Sequence, residues 1–472
     1  MQGERRKAKG SLLCEDIISK FDFGSERQKF YIAYSGGVDS HVLLHCCASI
    51  PLLKGKLAAV YVHHGLQAEA EVWAGHCEKT AKDLGVKFIT LRVNAKAAPG
   101  ESPEEAARNV RYVALKSLID VGDALLLAQH REDQLETVLL QLFRGGGLPG
   151  LSGMPERQDF GLGVMLRPLL HTSKQAICDY ADAHQLSWVN DPSNHSNDYD
   201  RNFLRNAVVP ILKQRWPAID KTVSRSARHC ADAQLLAEEV AEELFSATFN
   251  PADQTLSISR LKEHQLQLQQ LVVRHWFKHL GLRMPAQAKV ERILNEVVTA
   301  AEQRDPVLSG QGYSIRRYRD KLYCLTNQSG TDLHLPEGRQ EVLQDRVWTN
   351  GQTSIEVAHE QILSCVLSSK GILREQWQTA KVEIRFRRGG EKIRLPGRQG
   401  HHSLKNLFQE AGIPPWERDM MPLIYLDDTL AAVGDLWISA AFHSEKIQGC
   451  IHFHLQSLEL NPKDNDYKRI VD

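Results

Sequence analysis

This chain of 472 residues lacks the features that mark membrane, disulfide-rich and Cys-ligated metal proteins. No apolar run is long enough to cross a bilayer, and the basic residues 1–9 are not followed by the long apolar segment of a secretory signal. The nine cysteines are scattered and form no Cys-x-x-Cys pair, which argues against disulfides, zinc ribbons and Cys-ligated Fe–S clusters. We therefore expect a cytoplasmic protein with reduced thiols and no membrane partner.

The chain also lacks an excess of charge of either sign. Lys+Arg and Asp+Glu each total 58, so the formal net charge is zero and a surface that binds nucleic acid must be a local patch. The composition is 42% hydrophobic and 25% charged, which is typical of globular domains with ordinary cores. The length predicts about three domains.

Strand-like and helix-like segments alternate from about residue 29 to 170. This alternation predicts an α/β fold with a doubly wound, Rossmann-like parallel sheet, in which ligands bind beyond the carboxyl ends of the strands. The predicted strands are 30–34, 57–63, 86–93, 124–128 and 164–167, and the predicted helices between them include 69–84 and 103–119.

The remainder of the chain predicts a helical domain and a small α+β domain. The predicted helices are 222–245, 261–280 and 286–300, a β-hairpin is expected over 311–325, and residues 326–346 are typical of a linker. We expect a catalytic domain over 1–216, a mainly helical substrate-binding domain over 217–330 and a C-terminal α+β domain over 347–472.

The first predicted strand runs into a glycine-rich turn that opens a helix. Such a turn is typical of phosphate binding, because glycines let the backbone approach an anion and the free N–H groups of the helix hold it. The segment has no Gly-Lys-Ser/Thr and resembles the PP-loop of the N-type ATP pyrophosphatases, which implies bound ATP. A turn that only connects strand and helix is the alternative. The six residues are Ser35, Gly36, Gly37, Val38, Asp39 and Ser40.

Two later segments carry candidate catalytic side chains. His130 and Asp133 follow the fourth predicted strand, so we expect them at the same sheet edge and on one helix face. Such a pair can orient a substrate, bind Mg²⁺ or move a proton. Arg108 and Arg111 are also three residues apart in a predicted helix and can neutralise phosphoryl charge. The alternatives are a capped amphipathic helix and solvated surface arginines.

Three further segments are candidates for substrate contacts. Residues 144–151 hold four glycines within six residues, which predicts either a mobile loop or an ordinary flexible connection. Residues 191–194 precede a helix on which Arg201 and Arg205 share a face, as for an RNA-backbone contact or a salt-bridged helix. Residues 381–405 carry eight Lys/Arg against two Glu, a basic patch that fits phosphate.

Taken together and in order, these segments resemble the tRNA(Ile)-lysidine synthetase family. The shared motifs fill residues 29 to about 216, and segments between 384 and 435 resemble the C-terminal tRNA-binding domain of the family. Glu132 departs from the family, which often has Asp there, and Leu66-Gln67 replaces a commoner Leu-Arg. The motifs are the PP-loop, the His-rich turn 62–66, Glu-Ala-Ala-Arg-x-x-Arg-Tyr at 105–112, Ala-x-His-x-x-Asp-Gln-x-Glu-Thr at 128–137, the glycine-rich loop 144–151, and Arg-Pro-Leu-Leu at 167–170 before 191–194.

The resemblance implies that L-lysine is ligated to C2 of the wobble cytidine of tRNA(Ile) with a CAU anticodon, through an adenylated intermediate. It implies Mg²⁺ at Asp39, substrate orientation and proton removal by His130 and Asp133, and Arg108 on phosphate or on the intermediate. Sulfur insertion into tRNA by another PP-loop enzyme is the main alternative. A small-molecule synthetase and a non-catalytic RNA-binding protein are the others. The sequence leaves open whether the chain forms a homodimer.

Overall fold

The computed structural model describes residues 13–15, 17–19, 28–63, 70–94, 103–192, 196–301, 304–326, 344–349, 351–357 and 361–457. The chain divides into two compact units, Met1–Ala237 and Glu238–Asp472. The predicted domain ranges 1–216, 217–330 and 347–472 remain predictions, and most of the predicted linker lies outside the described residues. Among the described residues, no helix combines the length and the apolar character needed to cross a bilayer.

The first unit contains a six-stranded sheet in the order β3-β2-β1-β4-β6-β5. The first five strands of this order pair in parallel, and β5 pairs antiparallel with β6 at the edge. The predicted strands are confirmed, whereas β5 was not predicted. The strands are β1 (Phe30–Ala33), β2 (Leu57–His63), β3 (Lys87–Arg92), β4 (Ala124–Leu126), β5 (Arg157–Phe160) and β6 (Gly163–Leu166).

Both faces of this sheet are covered, since the side chains of β1 alternate between two buried clusters. Phe30 and Ile32 belong to one buried cluster, while Tyr31 and Ala33 belong to the other. The doubly wound arrangement is therefore confirmed. The helices of this unit are α1 (Val38–Ala48), α2 (Ala70–Asp83), α3 (Pro103–Lys116), α4 (Arg131–Phe143), α5 (Leu148–Leu151), α6 (Lys174–Ala183), α7 (Asp200–Phe203) and α8 (Val209–Arg215), with a short 3-10 helix Pro51–Leu53 and a π-helical turn Leu204–Val208 before α8. Helix α9 (Ile219–Thr248) begins in this unit and ends in the second.

The first part of the second unit packs helices on a five-stranded antiparallel sheet in the order β7-β8-β11-β10-β9. The predicted hairpin is present as β10 and β11, and the structure adds the rest of this sheet to a region predicted to be mainly helical. Trp276 and Phe277 lie at the centre of its core. The elements are β7 (Phe249–Asn250), β8 (Thr255–Ser257), α10 (Ile258–Lys262), α11 (Leu266–His279), α12 (Gln287–Arg292), the π-helical segment Ile293–Val298, β9 (Val307–Ser309), β10 (Tyr313–Tyr318) and β11 (Lys321–Thr326).

The C-terminal part of the second unit is α+β, as expected. It has a five-stranded sheet in the order β12-β15-β18-β19-β20, the three-stranded sheet β13-β14-β21 and the pair β16-β17. The elements are β12 (Arg346–Trp348), β13 (Ser354–Glu356), β14 (Gln361–Leu373), α13 (Arg374–Thr379), β15 (Val382–Arg385), β16 (Lys392–Ile393), β17 (His402–Ser403), α14 (Leu404–Glu410), α15 (Pro415–Arg418), β18 (Leu423–Leu426), β19 (Thr429–Val433), β20 (Trp437–Ile438) and β21 (His443–Ser457).

Candidate active site

The turn between β1 and α1 has the shape of an anion cradle. Gly37 is the N-cap residue of α1 and provides no side-chain hydrogen bond. The first N–H groups of this helix therefore have no capping side chain as an acceptor. Ser40 fixes the turn, because its hydroxyl donates to the carbonyl of Gly37 at 2.9 Å and accepts from the N–H of Ser35 at 3.2 Å. The two serine hydroxyls are 3.2 Å apart, at the carboxyl end of the first strand.

Gly36 is the position in this turn where only glycine fits. Its φ is +82°, in the left-handed region, and a Cβ there would come within 2.9 Å of the Sγ of Cys77. The carbonyl of Gly36 also accepts from the N–H of Val189 at 2.9 Å. The turn is therefore held from two sides by the core of the domain.

Asp39 stands on the first turn of α1 and contacts the ammonium of Lys174 and the imidazole of His130. The Nζ of Lys174, the first residue of α6, lies 2.6 Å from Asp39 Oδ1. The Nε2 of His130 lies 3.7 Å from the same oxygen. The carboxylate remains 30% exposed, so it is open to a further ligand.

His130 caps the N-terminus of α4 and is almost fully buried. Its backbone N–H donates to Asp133 Oδ2 at 3.0 Å, and its Nε2 is 3.4 Å from that oxygen. Burial lowers the pKa of His130, but the nearby carboxylates of Glu132, Asp133 and Asp39 raise it by more. The pKa therefore lies above its ordinary value. The structure therefore places the imidazole between the PP-loop carboxylate and the α4 carboxylate.

Glu132 has definite partners although it departs from the family motif. Its Oε2 accepts from the backbone N–H of Lys174 at 2.9 Å, and its Oε1 accepts from Lys213 Nζ at 3.0 Å. Burial opposes ionisation, but His130 and these hydrogen bonds lower the pKa of Glu132 to about 2. Glu132 thus joins α4, α6 and α8.

A cluster of two carboxylates and two guanidinium groups lies one turn further along α4. Asp133 Oδ1 accepts from Arg201 at 3.1 Å and from Arg205 at 2.9 Å. Glu136, whose side chain is 2% exposed, accepts from the Nε atoms of the same arginines at 2.8 and 2.7 Å. Burial raises the pKa of Asp133, but His130 and the two arginines lower it more. These arginines are paired within the domain, so the structure favours the salt-bridged helix over an RNA contact.

One cavity of about 430 Å³ connects these groups. Arg108 contributes an exposed guanidinium that lies 5.0 Å from the centre of the Tyr112 ring. Arg111 also lines the cavity, where burial and then the charge of Arg108 lower its pKa despite Tyr112. The lining includes Ser35, Gly37, Asp39, Ser40, Arg108, Arg111, Tyr112, Gln129, Asp133, Arg201 and Arg205.

The structure thus brings most of the predicted site residues to one cavity. His130 stands behind the lining rather than on it, in contact with Asp39 and Asp133. Sequence reasoning gave no role to Lys174 and Lys213. The available signal for Lys174 was its position just after the last parallel strand, at the same sheet edge as the PP-loop.

Two predicted features lie partly outside the described residues, namely residues 64–66 of the turn 62–66 and Ser193-Asn194 of the segment 191–194. The glycine-rich loop is described, and it is tied down rather than free. The N–H of Gly146 donates to the carbonyl of Gln141 at 2.7 Å, and Leu148–Leu151 forms α5. Beyond it, the side chain of Gln134 bonds both the N–H and the carbonyl of Met154.

Three family models match the chain in succession. They describe a PP-loop domain over residues 12–212, a TilS substrate binding domain over 256–323 and a TilS substrate C-terminal domain over 382–455. The PP-loop match identifies the first domain as an ATP-binding one, and the other two matches indicate substrate binding.

Curated relatives match nearly the whole chain. The tRNA(Ile)-lysidine synthase of Methylococcus capsulatus is 39% identical over 434 residues, which cover 90% of this chain and 96% of the relative. The enzymes of the same name from Alkalilimnicola ehrlichii and Legionella pneumophila are 38% and 37% identical and each cover 88% of this chain, with 91% and 93% of the relatives covered. With this identity spread over all three matched domains, the chain belongs to the tRNA(Ile)-lysidine synthase family.

Proposed function

We propose that this protein ligates L-lysine to C2 of the wobble cytidine of tRNA(Ile) with a CAU anticodon. ATP is cleaved to AMP and pyrophosphate, and the AMP activates the C2 oxygen before the lysine ε-amino group attacks. The product pairs with A instead of G, so the tRNA changes from AUG to AUA reading and from Met to Ile identity. The observation that carries the proposal is a single cavity that joins a phosphate cradle to a cluster of acidic and basic side chains on α4, α7 and the π-helical turn Leu204–Val208.

The cradle end of the cavity is proposed to hold the triphosphate. The N–H groups at the start of α1 and the hydroxyls of Ser35 and Ser40 are donors for phosphate oxygens. Lys174 adds a positive charge next to Asp39. Pyrophosphate becomes a good leaving group when such donors neutralise the charge that develops on it.

Asp39 fits a site for Mg²⁺. Among the described residues, no group of three or more His, Cys, Asp or Glu side chains could hold a metal ion. Mg²⁺ bound to a nucleotide usually needs only one or two carboxylates, because phosphate oxygens and water complete its shell. Asp39 would supply that carboxylate, and the ion would add positive charge at the phosphates.

The α4 end is proposed to bind the lysine substrate. Asp133 offers a carboxylate to the ammonium, while Arg201 and Arg205 suit the α-carboxylate. Because its pKa is lowered, Asp133 is a weak base. We assign Asp133 to hold the ε-ammonium of the lysine substrate. We assign His130, whose pKa is raised, to accept the proton of that ammonium by way of Asp133.

Arg108 is proposed to contact the adenylated intermediate. Its guanidinium is exposed at the cavity, and the neighbouring Arg111 extends the positive surface. Two guanidinium groups at this position would stabilise the phosphate that is transferred to the base and later leaves as AMP.

Sulfur insertion is not favoured. None of the described residues that line the cavity is a cysteine, and the nearby Cys77 is buried, which raises its pKa to about 12. A thiol with so high a pKa is a poor nucleophile, and a sulfur carrier needs a reactive one.

The proposal is tested by incubating the protein with ATP, labelled lysine and total tRNA, followed by nuclease digestion. We expect label on one modified cytidine from tRNA(Ile), together with equimolar AMP and pyrophosphate. Transfer of labelled sulfur, or pyrophosphate release that needs no tRNA, would overturn it.

A further inference from the structure

Helix α9 carries an exposed basic stripe in its first half. Lys221, Arg225 and Arg228 are spaced i, i+4 and i+7, so they share one face and span about 10 Å. All three are exposed, whereas Asp220 and Ala227, which lie on a different face of the helix, are buried. Asp220 is held by Arg131 Nε at 2.6 Å, which fixes the orientation of this part of the helix.

The three cations of the stripe have no counter-ion among the described residues. Some other basic groups of this unit do have one, such as Lys174 with Asp39 and Lys213 with Glu132. The predicted basic patch at 381–405 is largely paired as well. Its cations pair with carboxylates in Lys381–Glu383, Arg385–Asp428, Arg387–Asp419, Arg388–Asp345 and Arg398–Glu410.

Helix stability does not explain this arrangement. Positive charge is favourable at the C-terminal end of a helix and unfavourable at the N-terminal end, where Lys221 stands in the first turn. The sequence of α9 carries its cations early and its glutamates late, the reverse of what the helix dipole favours. The helix dipole therefore does not account for these three exposed cations.

An exposed aromatic side chain precedes the stripe. Trp216 is 57% exposed, and its carbonyl accepts from the N–H of Ile219 at 3.0 Å, which ties it to the start of α9. Exposed aromatics next to unpaired cations are typical of surfaces that bind RNA. An acidic protein partner would need only the cations of the stripe, so the exposed aromatic side chain favours RNA.

We propose that Lys221, Arg225 and Arg228 form a binding surface for the sugar–phosphate backbone of the tRNA substrate. The identity of this RNA rests on the proposed function. In the sequence, the stripe follows the residues matched as the PP-loop domain, 12–212, and precedes those matched as the substrate binding domain, 256–323. It holds the RNA by charge and does not read bases.

The test is the triple variant K221Q/R225Q/R228Q of the full chain, with tRNA(Ile) binding measured at several KCl concentrations. Each lost phosphate contact lowers the slope of log Kd against log [KCl] by about one, so we expect a loss of about three and roughly 10- to 100-fold weaker binding at 0.1 M KCl. The KM for tRNA should rise, with kcat at saturating tRNA unchanged.

A matched control removes the same charge elsewhere. Lys54, Lys82 and Lys87 are exposed, have no ion pair among the described residues and lie at the amino-terminal edge of the sheet, opposite the PP-loop. K54Q/K82Q/K87Q should bind tRNA within about threefold of the wild type. The charge-preserving variant K221R/R225K/R228K should restore both affinity and slope, which separates charge from folding.

The outcomes are decisive in each direction. An unchanged Kd and slope in the triple Gln variant, or an equal loss of tRNA affinity in the control variant, would overturn the proposal of this binding surface. An acidic protein partner would also leave tRNA binding unchanged. Because binding is measured without turnover, a wild type that binds tRNA but forms no lysidine refutes the proposed function and leaves the surface standing.

Discussion

Lys174 Nζ lies 2.6 Å from Asp39 Oδ1, although the two residues are 135 positions apart in the chain. The contact joins the first turn of α6 to the first turn of α1 at the carboxyl edge of the sheet. The ammonium thus neutralises the carboxylate in the protein alone. If the proposed Mg²⁺ bound that carboxylate, the ammonium would be free to turn to a phosphate oxygen.

Replacing Lys174 by Met should impair chemistry more than folding. The loss of one cation from the leaving-group site should lower kcat for lysidine formation roughly 100-fold, with the KM for tRNA unchanged. The melting temperature should hardly change, because exposed pairs contribute about 0–1 kcal/mol and this pair is 39% and 30% exposed. K174R serves as the charge-preserving control. An unchanged kcat in K174M would limit Lys174 to holding Asp39.

Glu136→Ala should strongly destabilise the first unit. Glu136 is 2% exposed and pairs with Arg201 and Arg205, so its loss leaves these two guanidinium groups to share Asp133 alone. Removing one member of a buried pair costs about 3–5 kcal/mol of the free energy of unfolding. Urea unfolding would measure this cost, and E136A/R205A would recover part of it. A cost below about 1 kcal/mol would mean that the arginines are solvated instead.

The phosphate cradle could be predicted because its signal is local. An apolar strand, two glycines and a helix start are contiguous from Phe30 to Val38 and need no distant contact. The Glu136 cluster could not, since its arginines lie 65 and 69 positions away and charge spacing alone does not name a partner. Strand β5 was missed because Arg157–Phe160 is a polar edge segment without apolar alternation, and β7 is too short to leave a pattern.

The loss of folding stability at acid pH should depend in part on Glu132. Its pKa is about 2 in the folded protein and 4.5 ordinarily, so its contribution is complete above about pH 4.5 and lost as the pH falls toward 2. Glu132→Gln should lower the melting temperature at pH 7 and flatten its dependence on pH below 4.5. Melting curves of both proteins between pH 2.5 and 7 provide the measurement. Parallel curves, separated by a constant offset, would contradict the assignment.

Gly36→Ala should remove ATP binding for two separable reasons. The backbone at Gly36 is in the left-handed region, which costs an alanine about 1–2 kcal/mol, and the new Cβ would meet Cys77 Sγ at 2.9 Å. Cys77→Ala removes the sulfur, so G36A/C77A should relieve the clash and keep the backbone strain. We therefore expect no measurable ATP binding in G36A by calorimetry, partial recovery in the double variant and near-normal binding in C77A. Equal affinity in G36A and the wild type would show that nucleotide does not depend on this turn, and the phosphate cradle would have to lie elsewhere.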